Sequence, residues 1–202
     1  MEETVKVSDQ RRNRNYAETH RQLIDRAVYL IGKDGLDALS VATLARHAEM
    51  NRSTVYYHFD SRDALLAGIR HWVGERLTEI LEVKLDPARR LEQTVQFVLS
   101  HCDVVNMWLS DLVGAGSVVE RGPYWEILVG ALRRGHWVVG KDKGVDSSLS
   151  DPEVLAAVLL AASLMAPQLF QAAVAPDADI NVIAARFASA YERFLRAASV
   201  SH

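Results

Sequence analysis

With 202 residues, 49% of them hydrophobic and 24% charged, the chain has ample material for a core, which excludes global disorder. The single cysteine, Cys102, excludes an internal disulfide and a zinc site of paired cysteines, and fits a reducing, cytoplasmic compartment. The formal net charge of −3 is unevenly spread: Gln10 to Arg62 holds nine Lys/Arg against six acids, so a mildly basic segment precedes an acidic body.

Ala, Leu, Arg and Glu dominate, Pro and Gly are sparse, and alternating runs are few, so an all-α fold of about nine helices is expected. Residues 1–15 are polar and basic without an apolar period and read as a flexible arm; no apolar h-region marks them for secretion. From Tyr16 a first helix follows, with Leu23, Ile24, Ala27, Val28 and Ile31 on one face and Gly35 as its stop. Ser40 caps a second helix with Val41, Leu44, Ala45 and Ala48 inward. Only three residues after Ala48, Asn51 caps a third, whose inner side is Val55 and Phe59. The fourth begins at Arg62 and runs to about Val83. Asp86-Pro87 marks a break before a fifth helix at 88–101, and a short sixth spans 104–113, ended by Gly114 and Gly116. The seventh is expected at 124–139. After a polar loop, Asp151-Pro152 opens an eighth and Asp179 a ninth that ends near Ala198. The expected division is an arm (1–15), a head (16–62) and a larger helical body (63–202).

The informative stretch is Ser40 to Leu66. Two short helices separated by three residues cross steeply, which is the helix-turn-helix unit, and its second helix enters the major groove of double-stranded DNA. Between Asn51 and Phe59 there is no acid; the available groups are Arg52, Ser53, Thr54, Tyr56, Tyr57 and His58. A carboxylate there would be repelled by phosphate. Arg52 is the candidate base reader, since its fork matches guanine O6 and N7. Ser40 and Thr43 stand at the front of the second helix, within reach of the DNA backbone.

The spacing from Gly35 through Ser40 and Leu44-Ala45 to Thr54-Val55-Tyr56-Tyr57-His58-Phe59, then Ser61-Arg62-Asp63 and Leu65-Leu66, resembles the TetR/AcrR family of bacterial transcriptional regulators. The resemblance covers about a quarter of the chain. It implies a homodimeric regulator, a repressor, with a ligand-binding and dimerisation body. It also implies base contacts at Ser53 and Tyr56, and phosphate contacts at Thr54, Tyr57, His58 and Arg62. Core packing remains an alternative for Tyr56 and His58. One departure is Glu49, where the family usually has Gly in the turn; a left-handed residue there costs about 1 kcal/mol.

Phe97, His101, Cys102, Met107, Trp108, Tyr124, Trp125 and Met165 are scattered over the fifth to eighth helices and are the expected lining of a pocket for a hydrophobic or aromatic effector. The fourth helix would link that pocket to the head. The alanine-rich eighth and ninth helices, with Leu155, Leu159, Ala162, Ala166 and Phe170 on one and Ile183, Phe187, Ala190 and Leu195 on the other, are the expected twofold interface. Val154 to Pro176 holds no charge and is long enough to span a bilayer, but its flanks lack a Lys/Arg cluster. A buried soluble helix is the expected reading, with no membrane partner. Gly135 to Lys141 matches the opening of a phosphate-binding loop, but Asp142 stands where Ser or Thr is needed. The alternative function is an all-α enzyme using Cys102 with His101 or a distant histidine. No histidine pair shares metal-ligand spacing with a carboxylate, and neither cofactor nor metal is expected.

Overall fold

The computed structural model describes residues 2–114, 123–133 and 151–200, with side chains over 13–114, 124–133 and 151–193. Every regular element among them is helical: α1 Glu2–Asp34, a 3-10 turn Leu36–Ala38, α2 Val41–His47, α3 Arg52–His58, α4 Arg62–Glu82, α5 Pro87–Ser100, α6 Cys102–Gly114, α7 Pro123–Arg133, α8 Pro152–Leu164, α9 Ala166–Val174 and α10 Ile180–Val200. The phosphate-loop-like run at 135–141, the end of the expected seventh helix and Arg11 and Arg12 of the basic arm lie outside the described residues or side chains.

The chain divides into two compact units, 1–72 and 73–202. The boundary therefore falls inside α4, ten residues beyond the expected edge at Arg62. The reason is packing: Leu65, Leu66 and Ile69 of α4 belong to the core of the first unit. Gly68 makes this approach possible, because a Cβ there would stand 3.0 Å from both Ile24 Cδ1 and Phe59 Cε1.

In the first unit, α1 starts at Glu2 rather than Tyr16. An apolar period reports burial and not helicity, and no Gly or Pro interrupts the helix before Gly32. Leu23, Ile24, Ala27, Val28 and Ile31 fill the core as expected, joined by Leu30, which the sequence pattern did not mark. Gly35, at φ 81°, turns the chain out of α1. Ser40 caps α2: its Oγ accepts from the Thr43 N–H at 3.0 Å. Asn51 holds the cap position of α3, but its side chain makes no capping bond.

In the second unit, α5 is the hub, packing on α6, α8, α9 and most extensively on α10. Asp86 caps it by accepting from the N–H groups of Ala88 and Arg89. Val95 and Leu99 of α5 meet Ile183 and Ala184 of α10 in a buried cluster flanked by Phe170 and Phe187. Asp151 caps α8 with Pro152 in its first turn, as the sequence predicts.

The expected eighth helix is two helices, broken at Met165. Pro167 has no N–H for the Ser163 carbonyl four residues back, and its ring crowds that carbonyl. Pro152–Val174 is long and apolar enough to cross a membrane by length and composition, yet only 22% of that stretch is buried. The expected burial on several sides is therefore incorrect. Ala156, Leu160, Leu164 and Pro167 keep one face inward, and the opposite face of every turn points out.

Glu49 has φ 55°, the left-handed region that glycine occupies freely. Removing about 1–2 kcal/mol of backbone strain outweighs the roughly 0.4–1 kcal/mol by which glycine favours the unfolded chain. Glu49→Gly is expected to raise the melting temperature by about 2–4 °C, read by circular dichroism.

Candidate nucleic-acid interface

Helix α3 has two unlike sides. Val55 is fully buried and Phe59, just past its end, is 2% exposed. These two pin the helix, so Arg52, Ser53, Tyr56 and Tyr57 point to solvent, with Thr54 half-buried. Tyr57 is 73% and Tyr56 52% exposed. Core packing, the alternative for Tyr56, does not hold. The outward face of α3 offers a guanidinium, two hydroxyls and two phenols, and no acid.

His58 behaves differently. It is half-buried, its ring centre lies 4.3 Å from that of Tyr16 on α1, and its Nδ1 is buried without a hydrogen-bond partner. Burial, and then the neighbouring His20, holds its pKa below the ordinary imidazole value. Its expected place among phosphate contacts is not where its ring points, because the short α3 turns this position back onto α1.

Ser40 and Thr43 lie together at the head of α2, their hydroxyls 2.8 Å apart. Arg62 is also occupied within the head. Its Nε donates to the Leu39 carbonyl at 2.9 Å and an Nη to the Leu36 carbonyl at 3.0 Å. It thus clamps the 3-10 turn and the entry to α2 onto the start of α4. The sequence alone offers no sign of this, since the partners are main-chain carbonyls more than twenty residues away.

An open groove of about 440 Å³ beside the α2–α3 turn is lined by Thr43, Arg46, Asn51 and Arg52, among others. Arg46 and Asn51 are exposed; the sequence marks Asn51 only as a helix cap and Arg46 not at all. A cap residue that makes no cap bond leaves its amide available, and Arg46 carries its charge to the same turn.

The expected effector lining is only partly assembled. Trp108 and Tyr124 are buried and meet edge to face at 5.5 Å. Phe97 and His101 stack at 4.9 Å, and the His101 Nδ1 lies 2.9 Å from the Phe97 carbonyl. Cys102 packs against the α5–α10 cluster, while Met107 and Trp125 are half-buried and Met165 is exposed at the α8–α9 break. A narrow cleft in the same unit takes only Tyr124 from that set. Its other walls are Leu77, Ile80, Leu81, Leu128, Leu159 and Leu160, with Arg90, Thr94 and Ser163, and it encloses about 10 Å³. That is room for one water.

Cys102 is no activated nucleophile: burial, then Asp103, pushes its thiol pKa up, and its Sγ donates to the Leu99 carbonyl at 3.5 Å. No group of three or more His, Cys, Asp or Glu suited to a metal occurs among the described residues.

Arg62→Gln is expected to lower the melting temperature of the DNA-free protein by about 2–6 °C, because two main-chain carbonyls lose a charged donor. An unchanged melt would assign Arg62 to phosphate alone.

Residues 23–69 match the family model described as bacterial regulatory proteins, tetR family. Over 102 residues the chain is 26% identical to an uncharacterised HTH-type transcriptional regulator, YuxN, of Bacillus subtilis (strain 168); the match spans 46% of this chain and 35% of that relative. The fold is similar to a transcriptional regulator of the TetR/AcrR type from Aquifex aeolicus VF5, with TM-score 0.59 at 17% identity over 87% of this chain and 99% of that one. It is also similar to the multidrug binding protein EbrR complexed with malachite green, with TM-score 0.50 at 18% identity over 83% of this chain and 96% of that one. The head at residues 23–69 thus matches the tetR family model, and the whole chain shares the all-α fold of solved regulators of the TetR/AcrR type.

Proposed function

We propose that the chain is an effector-responsive repressor that binds a palindromic operator as a twofold dimer, with α3 in the major groove. The observation that carries the reading is the sided helix: Val55 and Phe59 buried, Arg52, Ser53, Tyr56 and Tyr57 outward, and no carboxylate among them. In that orientation Arg52 and Ser53 meet base edges, while Tyr57, Arg46 and Thr43 lie toward the phosphates. Sequence selection from a random duplex pool tests it. Arg52→Ala is expected to relax one position in each half-site, at about 1–3 kcal/mol of discrimination. Tyr57→Phe is expected to weaken binding to every sequence alike. A selected operator unchanged by Arg52→Ala removes Arg52 from base reading.

One head covers only a half-site, so specificity requires two heads spaced by roughly 34–36 Å or a multiple. A free apolar face supports the dimer. Val154, Val158, Met165, Leu169 and Val174 on α8 and α9, and Val182 on α10, are all more than half exposed, with Ala185, Ser189 and Ala190 beside them. Ile183 and Phe187, expected in the interface, serve the intrachain cluster instead. The informative substitution is therefore on the exposed set. Val158→Asp is expected to yield a folded monomer by sedimentation, whereas Phe187→Asp unfolds the body. A wild-type chain that is monomeric at micromolar concentration and still binds a palindrome tightly excludes this interface.

The effector is proposed to enter the α4–α7–α8 cleft by parting its leucine walls. EbrR, of similar fold, is complexed with malachite green. Here the polar lining is Arg90, Thr94, Tyr124 and Ser163, without an acid, which favours a neutral or anionic lipophile. Only binding that differs between the DNA-competent and incompetent states moves their populations, typically by about 5–150-fold in affinity. Trp108, edge-on to Tyr124, is expected to change its emission as a lipophilic compound displaces the operator. A panel that leaves both signals flat excludes the switch without touching the DNA reading.

A further inference from the structure

Behind its DNA face, α3 rests on a stack of aromatic and imidazole rings. Tyr16 and His20 stand one turn apart on α1, their ring centres 5.9 Å apart. The Tyr16 ring lies 4.3 Å from that of His58 and meets Tyr57 edge-on at 5.5 Å. The His20 ring lies 4.6 Å from Phe59 and 5.7 Å from His58. The Nδ1 atoms of both His20 and His58 are buried and have no hydrogen-bond partner. The titratable groups around the stack are Tyr16 and His20 from α1, Tyr57 and His58 from α3, and His71 from α4. Glu18, nearby on α1, is engaged by Arg21 and Gln22. No carboxylate contributes to the electrostatics of either imidazole; His20 feels His71, and His58 feels His20.

We propose that Tyr16 and His20 are positioning residues for the recognition helix, that the helix holds its place only while this stack is uncharged, and that acidification therefore releases the operator. The inference rests on the DNA-binding reading above. Its physical basis is the cost of an imidazolium whose half-buried ring holds an Nδ1 without a hydrogen-bond partner, raised further when a second imidazolium forms within 5.7 Å. Undocking α3 from α1 relieves both. Burial first, and the neighbouring histidine second, holds both imidazoles below the usual value of 6.5. The undocked form therefore takes up protons first. The docked stack is complete above about 6.5 and is lost as the pH falls through and below that value. A histidine that holds phosphate has the opposite sign, since its protonation adds positive charge toward DNA and tightens binding.

The test is fluorescence anisotropy of the full chain on its selected operator, at constant ionic strength, from about pH 8 to about pH 5.5. The wild type is expected to lose about tenfold or more in affinity across that range. His20→Phe keeps a ring in the stack and removes a titrating group; it is expected to bind like wild type at the upper end and to flatten the profile. His20→Arg installs a permanent charge and is expected to bind weakly throughout. In the wild-type chain, imidazole resonances of His20 and His58 are expected to titrate below 6.5, a readout that stands even where a variant fails to fold. Binding that tightens on acidification, a pH profile unmoved by His20→Phe, or either ring titrating at or above the usual value overturns the proposal. A chain that binds no duplex at any pH overturns the DNA reading instead, and the imidazole titration still decides the state of the stack.

Discussion

The burial of Val55 and Phe59 fixes everything the head does. They stand four residues apart, so they lie on one side of a helix of barely two turns, and neither is more than 2% exposed. A helix that short has no stability of its own; its direction comes from what it packs against. Gly68 lets α4 approach Phe59 and Ile24 at contact distance, and Arg62 ties the preceding turn to the same α4. The side chains that face a ligand are thus positioned by side chains that never meet it. Loss of the inner pair would rotate Arg52, Ser53, Tyr56 and Tyr57 together.

The head was legible in sequence because its signals are local. A cap at Ser40, an apolar period through Leu44 and Ala45, and a three-residue gap to Asn51 are each read within one or two turns. What escaped reading is non-local. The Arg62 clamp joins residues 23 and 26 positions apart, and the Tyr16–His58 stack joins α1 to α3 across two intervening elements. The polar run 2–15 gives no sequence sign of the helix it forms, because amphipathicity reports burial and not helicity. The division of the eighth helix at Met165 did have a signal, Pro167, whose missing N–H matters to the residue four positions earlier.

In the body the sequence identifies apolar helices but not what covers them. Phe170, Phe187 and Ile183 are consumed within the chain around α5, whereas Val158, Leu169 and Val182 are left facing out. Both sets look alike in composition. The difference follows from α5 being the hub: a residue on α8, α9 or α10 is buried by its own chain only on the side toward α5, and the opposite side exposes a run of Val, Leu and Ala. The scattered aromatics follow the same logic, since Trp108 and Tyr124 are spent on each other in the core and leave a cleft of only about 10 Å³.

The acidic net charge and the proposed polyanionic partner are reconciled by the range of electrostatics. At physiological salt an exposed charge acts over about 8–10 Å, so a phosphate meets the local face and not the sum of the chain. Residues 73–202 carry the acidic excess, while the turn into α3 presents Arg46, His47 and Arg52. The exception on that face is Glu49, which is exposed and combines left-handed backbone with a carboxylate beside the recognition helix. Its two effects separate in principle. Backbone strain lowers the stability of the free head whatever the salt, and the carboxylate opposes phosphate by an amount that salt screens away. A comparison of Gly and Gln at position 49 divides them: both remove the charge, and only Gly removes the strain.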